Sequence, residues 1–163
     1  MGLFSIFSKK INLPYKDDGL NEIYESLFTS VNAAEPGKKE ILAVIIEVGL
    51  KDGLDVLAVY QDGTARYINH AEKLLVWEAQ TPVSQQLISE LLAAGEQAVA
   101  QIGPWDKERR LYPVKGMARL TFLVSDGFYF GEAPFHIFQN DPIGGPVIAA
   151  GARLMLFLTQ QHA

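Results

Sequence analysis

Residues 41–78, ILAVIIEVGLKDGLDVLAVYQDGTARYINHAEKLLVWE, decide the fold. ILAVIIEVGL is an unbroken apolar, β-branched run, and in LDVLAVYQ the residues Leu54, Val56, Ala58 and Tyr60 alternate along one side. Both patterns predict strands. Asp52-Gly53 and Asp62-Gly63 fall between these segments and predict hairpins, because both central residues of a type I′ turn need positive φ, which Gly accepts and Asp tolerates. TARYIN and KLLVWEA supply a third and a fourth strand, and the block becomes an antiparallel meander.

On the N-terminal side, Asp17 or Asp18 caps a helix expected over 18–34, with Leu20, Ile23, Leu27 and Val31 on one face. Glu35-Pro36-Gly37 ends it. On the C-terminal side, Thr81-Pro82 opens a helix expected over 82–102, in which Val83, Leu87, Leu91, Ala94, Ala98 and Ile102 form a stripe facing the sheet. After the loop PWDKERRLYPVKG at 104–116, MARLTFLVS and FYFGEA make a second hairpin turning at Asp126-Gly127. The irregular stretch PFHIFQNDPIGG leads to a last helix over 146–160, apolar nearly all round with Arg153 its only charge, and so expected to be well buried. Gly151 and its neighbouring alanines would let it approach the sheet closely.

The expected fold is therefore α+β: a single six-stranded antiparallel sheet in two hairpin blocks, four strands and then two, packed by three helices. The element order is α-β-β-β-β-α-β-β-α. In element order alone this is similar to small secretion-chaperone-like domains and, less closely, to profilin or roadblock-like modules; the likeness implies a layout and no chemistry. Residues 1–16 form an apolar and basic N-terminal segment, and 17–163 a single domain.

A chain of 163 residues with almost half of them apolar is long enough to bury a core without staples. It contains no cysteine, which excludes disulfides, thiolate metal sites and a cysteine nucleophile and suits a reducing, cytoplasmic setting. The formal net charge of −5 argues against nucleic acid as the main ligand. No stretch approaches the roughly 18 apolar residues of a transmembrane helix. MGLFSIFSKK lacks both a positive residue before its apolar stretch and a small-residue cleavage site, so it is a poor signal peptide. Its Leu3, Phe4, Ile6 and Phe7 followed by Lys9 and Lys10 suit weak contact with a membrane surface through residues 1–10, or docking on a partner.

Catalytic patterns are sparse. Ser125 lacks a G-x-S-x-G elbow and belongs to a turn, no phosphate-binding glycine motif occurs, and Gly144-Gly145-Pro146 has no neighbouring Lys or Ser/Thr to complete an anion site. His70 and His162 have no ligand-spaced partner and are expected at the surface. Glu132, His136 and Asp141 are the densest polar set, able to move a proton or bind a metal if they converge, and otherwise a structural hydrogen-bond network. The loop at 104–116 combines Trp105, Arg109, Arg110 and Tyr112, residue types that concentrate binding energy at protein interfaces.

These features favour a non-enzymatic protein-interaction domain of chaperone, adaptor or neutralising-partner type, with no cofactor or metal and the 104–116 loop as its contact surface. The alternatives are a small enzyme or ligand-binding domain around Glu132, His136 and Asp141, and a ligand or regulatory domain using a pocket between the sheet and the final helix.

Overall fold

The computed structural model describes residues 13–31 and 37–161, and at its centre is the strand that the apolar run predicts. β1 (Ile41–Leu50) pairs antiparallel with β2 (Gly53–Tyr60) on one edge and β5 (Met117–Val124) on the other. β3 (Ala65–Ile68) and β4 (Leu74–Trp77) extend the β2 side, and β6 (Gly127–Pro134) the β5 side. The result is a six-stranded antiparallel sheet in the order β4-β3-β2-β1-β5-β6. The helices are α1 (Asp18–Ser26), α2 (Pro82–Val99), α3 (Phe135–Phe138) and α4 (Gly144–Gln161). The expected order holds, with α3 added inside the stretch read as irregular.

Both faces of β1 are covered, which is why its sequence shows no polar alternation. Val44 and Ile46 join a core shared with Ile88 and Leu91 of α2 and with Val147 and Leu154 of α4. Ala43 and Ile45 join a second core with Tyr15, Leu20, Tyr24 and Leu27, on the α1 side. Tyr15 is tied in by an N–H bond to Asn21 Oδ1 at 2.9 Å and by its hydroxyl to Leu54 O at 2.9 Å, so the folded body begins before the helix. The apolar-basic stretch at 1–12 lies outside the described residues.

The hairpins form where expected but not as type I′ turns. Lys51-Asp52 and Ser125-Asp126 are the loops of two of them, and Gln61-Asp62-Gly63 of the third. In each, the glycine alone takes positive φ, 152° at Gly53, 87° at Gly63 and 153° at Gly127, while the aspartate does not. Gly63 matches a type I turn closed by a left-handed residue, and Asp62 turns its carboxylate back to accept from Thr64 N at 3.0 Å.

Three helix expectations need correction. α1 begins as predicted, with Asp17 Oδ1 accepting from Leu20 N at 3.1 Å, but ends at Ser26, well short of 34. There Ser26 Oγ bonds Ile23 O at 2.6 Å and the Tyr60 hydroxyl takes Leu27 O at 2.7 Å, so side chains satisfy the terminal carbonyls. In α2, closed by a Thr81–Ser84 capping box, the buried line is Ser84, Ile88, Leu91, Gly95 and Ala98, while Val83 is 54% exposed. Small residues lie nearest the sheet, and a search for large apolar ones slides the stripe sideways. α4 is not buried all round. Leu156 is 58% exposed, because the helix packs on the sheet and α2 and faces outward elsewhere.

Close approach at Gly151 is as expected, since a Cβ there would collide with Ile46 Cδ1. A second tight position is Gly49, where a methyl group would strike the main-chain carbonyls of Pro113 and Val114. Gly49→Ala is expected to lower stability by about 1–3 kcal/mol, read from the urea midpoint. It should also speed amide exchange at Gly116, whose N–H donates to Gly49 O at 2.8 Å.

Candidate functional site

The densest polar chemistry lies on the α1 face of the sheet. Register places Glu47 of β1 opposite Arg119 of β5, and Arg119 opposite Glu132 of β6, as one row across three strands. Glu47 is fully buried and Arg119 nearly so. Arg119 Nη1 stands 3.9 Å from Glu47 Oε1, and its Nη2 3.2 Å from Glu132 Oε1. Tyr24 donates its hydroxyl to Glu47 Oε2 at 2.5 Å. Burial pushes the Glu47 carboxyl above its usual 4.5, against the pull of the Tyr24 hydrogen bond and the Arg119 guanidinium.

The 104–116 loop crosses this row as a strap. Arg119 holds it from below, donating from Nη1 to Arg110 O at 3.0 Å and from Nη2 to Leu111 O. Trp105 N donates to Phe128 O at 2.6 Å, and the indole meets the Phe130 ring edge-on at 4.6 Å. Arg109 turns inward: it pairs with Glu25 at 2.6 Å and lies 3.8 Å from the centre of the Phe28 ring. Arg110, 57% exposed, stacks on Trp105 and stands 3.8 Å from Glu132. Tyr112 is half-buried against the second core, and Pro113 is buried. Of the four residues expected to make contacts, Arg110 is the one that faces outward, while Leu111 and Val114 are 63% and 69% exposed.

Glu132, His136 and Asp141 have separate surroundings. Glu132 belongs to the arginine row. His136 is exposed on α3. Asp141 Oδ2 accepts from Ile143 N at 2.9 Å and Gly144 N at 2.7 Å, capping α4 and filling the helix start that Gly144-Gly145-Pro146 offered to an anion. Among the described residues no three His, Cys, Asp or Glu side chains are placed to hold a metal ion.

Sequence reasoning missed Glu47 by absorbing it into an apolar run. The available signal was a carboxylate in a strand predicted to be buried on both faces, which demands a cation from a neighbouring strand, and MARLTFLVS carries one. It also left His70 unpartnered. In the structure Asp55 Oδ1 accepts from His70 N at 2.6 Å and lies 3.0 Å from its Nδ1. His162 lies outside the described residues.

A second feature is mostly apolar. At the β1–β2 turn end, between the sheet and α4, is a cleft of about 410 Å³. Ile46, Val48, Leu57, Phe135, Ile148 and Met155 supply much of its lining, and Asp55 is the one charged residue in it. Gly151 and Ala152 face it from α4, and Tyr67 Oη donates to Asp55 Oδ2 at 3.3 Å on its wall. Burial and the neighbouring Asp55 carboxylate raise the Tyr67 pKa, so the phenol stays protonated.

In comparisons with known proteins, no family model matches the chain and no curated protein matches it.

The charge row predicts an asymmetric mutational pattern. Arg119→Met should cost about 3–5 kcal/mol at neutral pH because it leaves Glu47 buried without its cation. Adding Glu47→Leu should restore most of that stability, yet amides of the strap near Arg110 and Leu111 should still exchange faster than in the parent. The Glu47 proton has a sign that can be checked. A carboxyl raised in the folded state gives stability that is full below its unfolded value near 4.5 and lost as pH rises through the folded one. Acidifying from pH about 7 should therefore move the stability difference between the parent and Glu47→Gln toward the parent.

Proposed function

We propose that this protein is a non-enzymatic interaction domain that receives apolar side chains from a segment of another protein in the cleft between the sheet and α4. The observation that carries this reading is the cleft itself. Its volume of about 410 Å³ falls in the range of ligand-receiving pockets, about 300–1,000 Å³. The apolar surface reaches the mouth, where Leu50, in the lining, is 36% exposed. A small ligand would leave that rim in water, whereas a protein segment would cover it.

The strap offers a second exposed surface, on the other face of the sheet: Arg109 and Tyr112 hold it to the body, while Arg110, Leu111 and Val114 are exposed. The engagement of Glu132 with Arg119, and of Asp141 with the start of α4, supports contact over turnover. Chaperone, adaptor and neutralising-partner roles all use such a receptor cleft, and a cysteine-free chain suits the cytoplasm. Among the described residues no helix is long and apolar enough to cross a membrane.

Titrating the ¹⁵N-labelled protein with a twelve-residue peptide rich in Leu and Phe tests the reading. Shift changes are expected at Val48, Leu57, Gly151 and Met155. Met155→Asp should weaken binding at least tenfold, whereas Leu156→Asp, exposed on the same helix, should not. Changes confined to Trp105–Tyr112 would return the contact surface to the strap and overturn the cleft.

A further inference from the structure

We propose that β4 is the edge through which two copies of this chain join, antiparallel about a two-fold axis, so that their sheets run on as one. The register fixes what β4 shows to the outside. Asn69 N donates to Lys73 O at 3.0 Å, and the same kind of pair recurs at Tyr67–Leu75 and Ala65–Trp77. On the other side of β3, Tyr60 N donates to Thr64 O at 3.0 Å, so Arg66 and Ile68 direct their main-chain groups to β2. The alternation of an antiparallel ladder then turns the N–H and C=O of Leu74 and Val76 outward. β4 ends the sheet, and among the described residues nothing bonds those groups. The two side chains are 38% and 41% exposed, on the α1 face in the rows of Ile68 and Arg66. A bare apolar edge of this kind templates a further strand. The opposite edge is guarded: Trp105 N donates to Phe128 O on β6, Arg119 holds Glu132, and Pro134 ends the strand.

The length of the edge selects the partner. At one end Glu72 has a φ of 63° and its carboxylate accepts from Asp17 N at 2.8 Å, so the chain leaves the strand direction there. At the other end Thr81 already caps α2. A longer strand would overrun this edge, whereas a second β4 matches it. Pairing centred on Leu75 sets Leu74 opposite Val76 of the second copy, and Val76 opposite its Leu74. Each of these pairs exchanges both N–H···O bonds, and the exposed side chains close into one apolar patch on the α1 face. On the α4 face Leu75 meets its own copy on the axis, beside a groove of about 250 Å³ that Tyr67, Lys73 and Thr159 help to line. Centring on Val76 instead would set the Glu78 carboxylate against Leu74. Charge sets the direction: Lys73 precedes the strand and Glu78 follows it, so antiparallel pairing puts the cationic end beside the acidic one, and parallel pairing puts like beside like.

So small a contact makes a weak dimer, and sedimentation equilibrium of the full chain should trace its formation between about 10 μM and 1 mM. Val76→Pro removes an outward N–H and no bond to β3, and it should weaken the association at least tenfold. Val76→Lys should do the same, with a melting temperature near the parent's, and Val83→Lys, exposed on α2, should change nothing. The chain has no cysteine of its own, so Leu75→Cys reports the register. It would face its copy in a non-hydrogen-bonded pair, with about 4.5 Å between Cα atoms, and should oxidise to a disulfide-linked dimer, whereas Leu74→Cys should not. This cross-link decides the matter even where a Val76 variant fails to fold. A parent chain that stays monomeric throughout overturns the proposal, and so does a dimer that both Val76 variants leave intact. Equal cross-linking through Leu74→Cys and Leu75→Cys overturns the pairing.

Discussion

The structure depends on one constraint: β1 is hydrogen-bonded along both edges and buried on both faces. A strand in that position leaves little side chain for solvent, so each face of the sheet needs its own cover. α2 and α4 supply a broad layer on one side. On the other, α1 is only nine residues long, and a helix of that length cannot roof six strands. The strap at 104–116 completes that layer, which is why a segment with loop composition runs across a sheet face instead of around its edge.

A loop laid on a sheet brings main-chain carbonyls that need donors. Arg119 meets the need for Arg110 and Leu111, and its charge is in turn balanced by Glu47 and Glu132 on the neighbouring strands. The buried ions are thus part of the covering layer. Desolvating Glu47 and Arg119 is unfavourable, and an apolar pair of the same size would pack at lower cost. Such a pair could not hold the strap. Specificity of the loop's path is what the charges contribute, and the aromatic contacts of Trp105, Phe130 and Arg110 fix the same path from its other end.

Much of this architecture was legible in the sequence. Apolar runs between Asp-Gly pairs give the strands and their antiparallel order, and Thr81-Pro82 gives the start of α2. The details that escaped share a cause: they depend on what lies opposite a residue. The aspartates of the hairpins keep negative φ because the following glycine takes the left-handed position for them. The buried line of α2 runs through Ser84 and Gly95, which pattern matching discounts as polar or small, yet small size is what a close crossing over Ile41 and Val44 requires. Glu47 stands out in the apolar run only as a carboxylate in need of a cation, and that Arg119 and Tyr24 are the groups that face it is known from the sheet register and the packing of α1. The cleft is illegible for the same reason, since it is a gap between elements and no residue signals it. The expectation of a pocket between the sheet and the last helix locates it only in outline.

The cleft also has a physical origin in the packing of α4. Gly144 lies against the Phe138 ring and Gly151 against Ile46, so the helix is drawn onto the sheet at two glycines. Once Gly151 sets that distance, the adjacent Ala152 has too little side chain to fill the flank, and β1 and β2 run on beneath it toward their turn. A larger residue at 151 would close the space only by lifting the helix. The apolar hollow therefore comes with the close helix–sheet contact, and leaving it open costs stability that its neighbours must supply. A fold that keeps such a hollow and carries an exposed Leu50 at its mouth departs from ordinary surface rules in one place. Departures of this kind concentrate at functional sites, and both features lie at the β1–β2 turn end of the sheet, which is the ground on which the contact surface is proposed there.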